Sequence, residues 1–423
     1  MISNREKVTV NNKFGAERCP ARVSYSRCLS CRPDIITEGF SGRYTVKVNA
    51  NPTKPAMSSR SKLLNATANC ISQYGIDQVA ISHIVKEAGV SRPTFYSHFG
   101  DLDGVLADIW VEHGEAWALT MCDPSATVQY GDAQSRALLE IFLVAHRKPQ
   151  ILEAIKAQMP SLVDKRFPDV ADQTIALWTF ANRLGMSATV GVWHPAARAA
   201  ILDSYLESVR GKISNLVPLE TEELAPIADS SDQQIESELL LGALTVVQNS
   251  GVPALTVSRL ARVLGVTSAY VYPRMTGTGH LAAQAFDYAL TQATKTNVDR
   301  WQAKKLGVEG FSEYIVGGLS NSRENWRRFR AEVLLAAPHI PELRTGVPVA
   351  LDAFAERIMK PISVLPVPKE RRRDLSALVH TTLLGFSALQ AAGIPVKHLA
   401  HVGIIQAMVR ELGKRVLTGS ATT

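Results

Sequence analysis

The sequence predicts an all-α protein in which one arrangement is laid down twice. Three observations carry this. Apolar residues recur three and four positions apart through most of the chain after residue 57, the spacing of amphipathic helices. Ser, Thr, Asp, Gly and Pro fall between these segments, where helices start and stop. Residues 235–275 also echo residues 59–99 without a gap, at a constant offset of 176.

With 423 residues, 46% of them hydrophobic, the chain is too long for one ordinary domain and rich enough for packed cores. No apolar run reaches transmembrane length, and the start lacks the apolar core of a signal peptide. A cytoplasmic protein with no membrane partner is expected. The five cysteines, Cys19, Cys28, Cys31, Cys70 and Cys122, are odd in number and fit free thiols. The first three lack a fourth ligand nearby, which disfavours zinc, and no cofactor is expected. The net charge is +7, but residues 1–56 hold ten Lys/Arg against four Asp/Glu, leaving only +1 for the rest. The charge is therefore weak support for nucleic-acid binding by the folded part.

Residues 1–56 show no sustained periodicity and read as a disordered basic leader, or as a mis-assigned start with translation beginning at Met57. A first helix spans about Ser58 to Tyr74 and stops at Gly75. The stretch Ile81 to Phe99, ISHIVKEAGVSRPTFYSHF, reads as two short helices joined by a tight turn. Ile84, Val85 and Ala88 stripe the first, Gly89 ends it, and Val90 fills the angle between the two. Ser91 caps the second, and Pro93 falls in its first turn, where N–H groups lack helical partners anyway. This is a helix-turn-helix whose second helix, Arg92 to His98, is shaped to enter a DNA major groove. Asp101 then caps a long helix from Leu102 to about Met121.

The sequence RSKLLNATANCISQYG, the helix-turn-helix and FYSHFGDLDGVL together resemble the N-terminal domain of the tetracycline-repressor (TetR/AcrR) family. The resemblance is carried by Leu63, Leu64, Ala66, Gly75, Ile84, Ala88, Gly89, Val90, Ser91, Thr94, Tyr96, Phe99 and Leu106. Two positions depart from the family pattern. Leu102 stands where a lysine is usual, and Ala80 where a threonine cap is common.

Helical patterns follow near Ala133–Arg147, Gln150–Met159, Ala171–Val192 and Ala196–Ser214, separated by Pro149, Pro160, Pro168 and Pro195. Residues 215–233 are acidic, aperiodic and proline-bearing, and read as a linker. Then the head recurs. Gly251, Gly265 and Tyr272 match Gly75, Gly89 and Tyr96, while Leu239, Leu240, Val247, Leu260 and Val266 take the apolar positions. Further helices are expected near Leu281–Lys304, Phe311–Leu319, Glu324–Ala337, Val347–Met359, Arg371–Ala391 and His398–Leu417.

The repeat predicts two tandem TetR-like units, each a three-helix head on a helical bundle, and the resemblance implies that the bundles bind ligand and dimerise. The heads cover 57–110 and 234–285, the bundles 111–214 and 286–423.

For reading DNA, Ser91, Arg92, Pro93 and Thr94 lie at the helix end that reaches base edges. Ser82 and Lys86 are candidate phosphate contacts, and the resemblance implies backbone contacts from Tyr96 and His98. Tyr96 reads equally as a core aromatic, and Lys86 and His98 as part of a solvated face. In the second head the candidates are Arg259, Thr267, Ser268, Tyr270, Tyr272 and Arg274. Pro273 falls inside that reading helix, at a cost of about 3 kcal/mol unless the helix ends by Tyr272. Arg327, Arg328 and Arg330, and the run KERRRD at 369–374, read as solvated helix faces or surface caps.

The function expected is a transcriptional regulator, a repressor, bound to a double-stranded DNA operator, and the family resemblance implies that it is modulated by a small, mostly apolar effector. The competing reading is a ligand-binding or protein-interaction module with vestigial heads. Pocket candidates are Trp110, Trp178, Trp193, His194, Trp326 and His380. The resemblance implies that the last two helices of each unit pair, as an intramolecular pseudo-dimer or in a homodimer. No metal-ligand motif, phosphate-cradling glycine loop or nucleophile elbow is present, which argues against an enzyme.

Overall fold

The computed structural model describes residues 57–128, 130–193, 206, 234–304, 307–318 and 321–394. The leader, the linker, His194 and the helices expected over 196–214 and 398–417 lie outside these, apart from the buried Leu206. Among the described residues every regular element is a helix, and no helix is long and apolar enough to cross a membrane.

The first head consists of α1 (Ser59–Tyr74), α2 (Ile81–Ala88) and α3 (Arg92–His98), followed by the long α4 (Leu102–Cys122). Its caps are those its sequence provides. Ser58 accepts from the Ser61 N–H at 3.1 Å, Ser91 from Thr94 at 3.3 Å, and Asp101 from Gly104 at 2.8 Å. Gly89 ends α2 in the left-handed region, φ 65°. Leu63, Ile71, Ile84, Phe95, Phe99 and Leu106 close one core beneath the three helices.

The chain continues through α5 (Ala133–Val144), α6 (Pro149–Arg166) and α7 (Val170–Thr189). A second group of three helices follows, at the place expected for a second head. It comprises α8 (Gln234–Ser250), α9 (Val257–Leu264) and α10 (Ser268–Val271), the last extended by a 3-10 turn over Tyr272–Arg274. Beyond it lie α11 (Thr278–Lys304), α12 (Val308–Gly317), α13 (Glu324–Ala336), α14 (Pro341–Ile362) and α15 (Lys369–Ala391).

Helices α7 and α15 pack along one another. Their backbones cross at glycine on both sides. A Cβ at Gly185 would stand 1.8 Å from the Thr381 carbonyl oxygen, and one at Gly385 would stand 1.7 Å from that of Ala181. No side chain of any kind fits either position. Trp178 packs edge-on against Phe386 beside the crossing, with ring centroids 4.9 Å apart.

Three expectations need correction. Pro160 does not separate two helices, because α6 runs through it; the residue is exposed, so water can serve the carbonyl that its missing N–H leaves unpaired. Pro348 and Pro361 likewise sit inside α14, which begins six residues before the expected Val347. The arginines of α13 do not form a solvated face. Arg327 and Arg330 are buried, Arg328 is half-buried and pairs with Glu324 at 2.5 Å, and the preceding Arg323 is buried too. The helix turns this face inward because Trp326, Phe329, Val333 and Leu334 share it with them. The KERRRD run, by contrast, is a surface cap: Arg373 pairs with Asp352 at 2.6 Å and Arg371 with Asp374 at 3.2 Å.

Candidate nucleic-acid interface

In the first head, burial of Phe95 on one side of α3 fixes which side chains face outward. Ser91, Arg92, Pro93, Tyr96 and His98 are exposed, and Thr94 is half-buried. Tyr96 is 56% exposed, with its ring edge-on to Phe95. It is therefore an outward aromatic rather than a core one. Arg92 and Lys86, both exposed, form no ion pair among the described residues. Thr94 is less available than its place suggests, since its hydroxyl lies 2.8 Å from that of Ser91. Ser82 is half-buried near the start of α2, which Ala80 leaves without a side-chain cap. There the Ala80 N–H donates instead to His83 Nδ1 at 3.4 Å.

In the second head Thr256 supplies the cap that Ala80 cannot, accepting from Arg259 N–H at 3.2 Å, and Thr267 caps α10. Arg259, Thr267, Ser268, Tyr272 and Arg274 are exposed, Tyr272 at 74%, and Tyr270 is half-buried. The α-helix ends at Val271, so Pro273 falls in the 3-10 turn and avoids the clash of a helix interior. Arg274 folds back: its Nη1 donates to the Tyr270 carbonyl at 2.7 Å, and the guanidinium lies 4.1 Å from the Tyr270 ring centroid. The exposed Arg262 adds a cation to this head beyond the residues singled out above.

The long helix that carries the first head is tied at both ends. Lys148, at the start of α6, reaches Asp103 at 2.7 Å, beside the Leu102 that replaces the usual lysine. At the other end the buried Arg183 of α7 donates to the carbonyls of Thr120, Asp123, Pro124 and Ala126, satisfying groups that the end of α4 leaves open. The helix-helix seam and the reading head thus share one rod. Arg60 adds a third tie, from α1 to Asp108 and Glu112 on α4, at 2.9 and 2.6 Å.

The loops after α1 and α8 converge on a buried polar junction that sequence reading missed. Glu140 accepts from the Ile76 N–H at 2.8 Å and from Arg136 Nε at 2.6 Å. Arg147 bridges Asp77 at 2.7 Å and Glu332 at 2.6 Å, 185 residues away in the chain. Burial pushes the Glu332 carboxyl up to about 7 against the opposing pull of Arg147, and burial lowers the adjacent His146. Only chain folding brings these groups together, and no local pattern announces it. Next to the junction lies a cavity of about 490 Å³, lined by Tyr74, Asp77, His83, Pro253, His339 and Arg344 among others.

Of the pocket candidates, Trp110 packs edge-on to Trp117 and tilted against Phe142 in an aromatic core, and Trp178 belongs to the seam. Trp193 donates to Asp352 at 3.2 Å. Trp326 and His380 line a small cavity in the second bundle. Cys70 and Cys122 are free and buried, and burial raises the Cys122 thiol to about 12.

Fold and interface together define a class: a helix-turn-helix head mounted on a helical bundle. Residues 63–109 match the family described as bacterial regulatory proteins, tetR family, so the first head is of the tetR type. The chain is 27% identical over 193 residues to the uncharacterized HTH-type transcriptional regulator MT2310 of Mycobacterium tuberculosis (strain CDC 1551 / Oshkosh). That match covers 44% of this chain and 91% of the relative. The same figures hold for the uncharacterized HTH-type transcriptional regulator Rv2250c of Mycobacterium tuberculosis (strain ATCC 25618 / H37Rv). The uncharacterized HTH-type transcriptional regulator YdgC of Bacillus subtilis (strain 168) is 39% identical over 51 residues, 12% of this chain and 26% of the relative. A full-length relative of this kind therefore matches less than half of the chain.

Proposed function

We propose that this protein is a DNA-binding transcriptional repressor that carries two tetR-like units in one chain and releases DNA when a small molecule binds a bundle. The observation that carries this is the outward face of α3: a capped reading helix with Arg92 exposed and unpaired at its start. The tandem reading is supported by the recurrence of head elements at an offset of 176, down to the left-handed Gly89 and Gly265 at φ 65° and 68°. Reciprocal glycine contacts at the α7–α15 crossing support a pseudo-two-fold pairing within one chain, as an isologous interface requires.

Two heads bind adjacent major grooves when they sit roughly 34–36 Å apart. A ligand that favours another spacing weakens binding by population shift, and α4, tied to both the head and the seam, is the element to transmit it. Because Arg92-Pro93-Thr94-Phe95 differs from Ser268-Ala269-Tyr270-Val271, the two half-sites are unlike.

The test is binding to the DNA beside the protein's own gene across a salt series. Operator binding predicts a steep loss of affinity with salt, and preference over random competitor DNA. Failure to prefer any duplex, with Arg92 intact and no effector present, would overturn the reading. The second reading, a vestigial second head, is favoured by the short α10 and the folded-back Arg274. Loss of binding on Arg92→Ala, with none on substitution of Arg259, Arg262 and Arg274 together, would establish it.

A further inference from the structure

The chain echoes itself in two registers. The three-helix groups recur at an offset of 176, whereas the helices beneath them recur at 192. At that second offset Glu140 corresponds to Glu332 and Arg147 to His339, just as the Pro149 that starts α6 corresponds to the Pro341 that starts α14. Helix α5 packs against α1, and α13 against α8. Glu140 and Glu332 therefore hold equivalent places, one beneath each three-helix group.

The contacts among these residues are reciprocal. Arg147 follows α5, yet its guanidinium grips Glu332 of α13, through Nε at 2.6 Å and Nη2 at 3.0 Å. His339 follows α13, and its Nε2 lies 3.6 Å from Glu140 Oε1 on α5. The glycines that end α1 and α8 show the same exchange. A Cβ on Gly75 would stand 2.7 Å from the His339 ring, and one on Gly251 would stand 3.1 Å from Arg147 Nη2. Each residue meets the counterpart of its counterpart's partner, which is the pattern of a two-fold contact.

The two arms of this cross are unequal. Arg147 Nη2 also donates to both Asp77 oxygens, at 2.7 and 2.9 Å, and so ties the loop after α1 to the helix beneath α8. The adjacent His146 places Nε2 3.2 Å from the Gln248 carbonyl oxygen of α8. Largely buried, charge-assisted, bidentate bonds of this kind fix orientation as well as distance. On the other arm the residue corresponding to Asp77 is Pro253, which offers no carboxylate, and both Pro253 and His339 border the cavity of about 490 Å³. One arm is a clamp, and the other is a loose contact.

We propose that Arg147 is a positioning residue that holds the two heads at one separation and thereby sets the half-site spacing the protein accepts. The first head is held through Asp77, and the second through Glu332 and Gln248 beneath and within α8, so neither turns without the other. One inserted base pair shifts a half-site by about 3.4 Å and rotates it by about 35°, more than a clamped pair can follow. The spacing claim deepens the two-headed regulator reading and rests on it; the clamp itself does not.

The full chain is spin-labelled at Lys62→Cys and Glu238→Cys, exposed and equivalent positions on α1 and α8, with Cys19, Cys28 and Cys31 changed to serine. Double electron–electron resonance should give one narrow distance distribution. Arg147→Met should widen it at least twofold. A neutral variant, Asp77→Asn with Arg147→Met and Glu332→Gln, removes the carboxylates that would be left unpaired and should widen it equally while Tm stays near the parent's. In parallel, duplexes that the parent selects from a random pool are resynthesised with one base pair inserted between the half-sites. The insertion should cost the parent at least tenfold in affinity and the neutral variant less than threefold. A broad distribution in the parent overturns the assignment, as does an unchanged one in the neutral variant, or a widened variant that still rejects the insertion. Loss of the fold in both variants also overturns it, since Arg147 would then hold the core rather than place the heads. So does widening by His339→Ala as great as that by Arg147→Met. Specific DNA binding with an unchanged distribution sinks this inference alone, and a widened distribution in a chain whose parent prefers no duplex sinks the regulator reading alone.

Discussion

In the first head the outward helix, Arg92–His98, runs 7 residues; in the second, Ser268–Val271 lasts 4 before a 3-10 turn takes over at Pro273. The inward residues barely differ. Phe95 and Val271 are both fully buried, Ile84 and Leu260 likewise, and both turns end on a left-handed glycine. Packing fixes the inner side of each head, whereas the outer side is free to change its length, charge and reach. The difference teaches that the same inner packing can carry outer faces of different length, charge and reach.

The largest expected effect lies where the two bundles meet. Gly385→Ala or Gly185→Ala drives a methyl into backbone and should cost about 3 kcal/mol or more in urea unfolding. Gly265→Ala, with open space around it, should cost only about 1 kcal/mol, for the left-handed backbone alone. Equal losses would mean that the crossing is not the seam the geometry indicates. Next comes recognition. Arg92→Ala should lower operator affinity about 10- to 100-fold, whereas Arg274→Ala, already committed to Tyr270, should cost about threefold at most in a gel-shift titration. Equal effects would erase the contrast between the heads.

The caps offer a smaller, symmetric test. Thr256→Ala should destabilise by about 1 kcal/mol, and Ala80→Thr should stabilise by a similar amount, each read by thermal unfolding. The last effect appears only on acidification. His380 is held neutral in the folded chain but takes up a proton below about 6.5 when unfolded. Its contribution is therefore complete above that pH and declines as pH falls toward the lower folded value, by at most about 1.4 kcal/mol per pH unit. His380→Gln should flatten that acid limb, leaving the slope of His146, whose folded value is lowered in the same sense, opposed by Glu332, whose raised folded value favours the fold as pH falls below about 7.

How legible this was depends on the range of the forces involved. Ser58, Ser91, Asp101, Gly75 and Gly89 act within a turn of their own position, and all of them stop or start a helix where the sequence places them. Pro273 behaves as its ring requires, by ending the α-helix before it. Pro160 looks the same in sequence, yet its helix continues because packing of Ile155, Met159, Leu162 and Val163 outweighs one lost hydrogen bond. The inward turn of Arg323, Arg327 and Arg330 was illegible because charge ordinarily marks the surface, and the aromatics beside them gave the only contrary signal. Asp77, Arg147 and Glu332 meet across three segments, and Gly185 meets Thr381 across nearly half the chain. Neither meeting leaves a periodic trace.

The glycine crossing has one more consequence. Its two sides belong to a single polypeptide, so dilution cannot part them as it parts separate subunits, and the local concentration of each side for the other stays set by the intervening chain. If the pairing is the single-chain pseudo-dimer proposed above, the molecule would remain whole at dilutions where separate protomers drift apart, and neither side could be exchanged for that of a related chain.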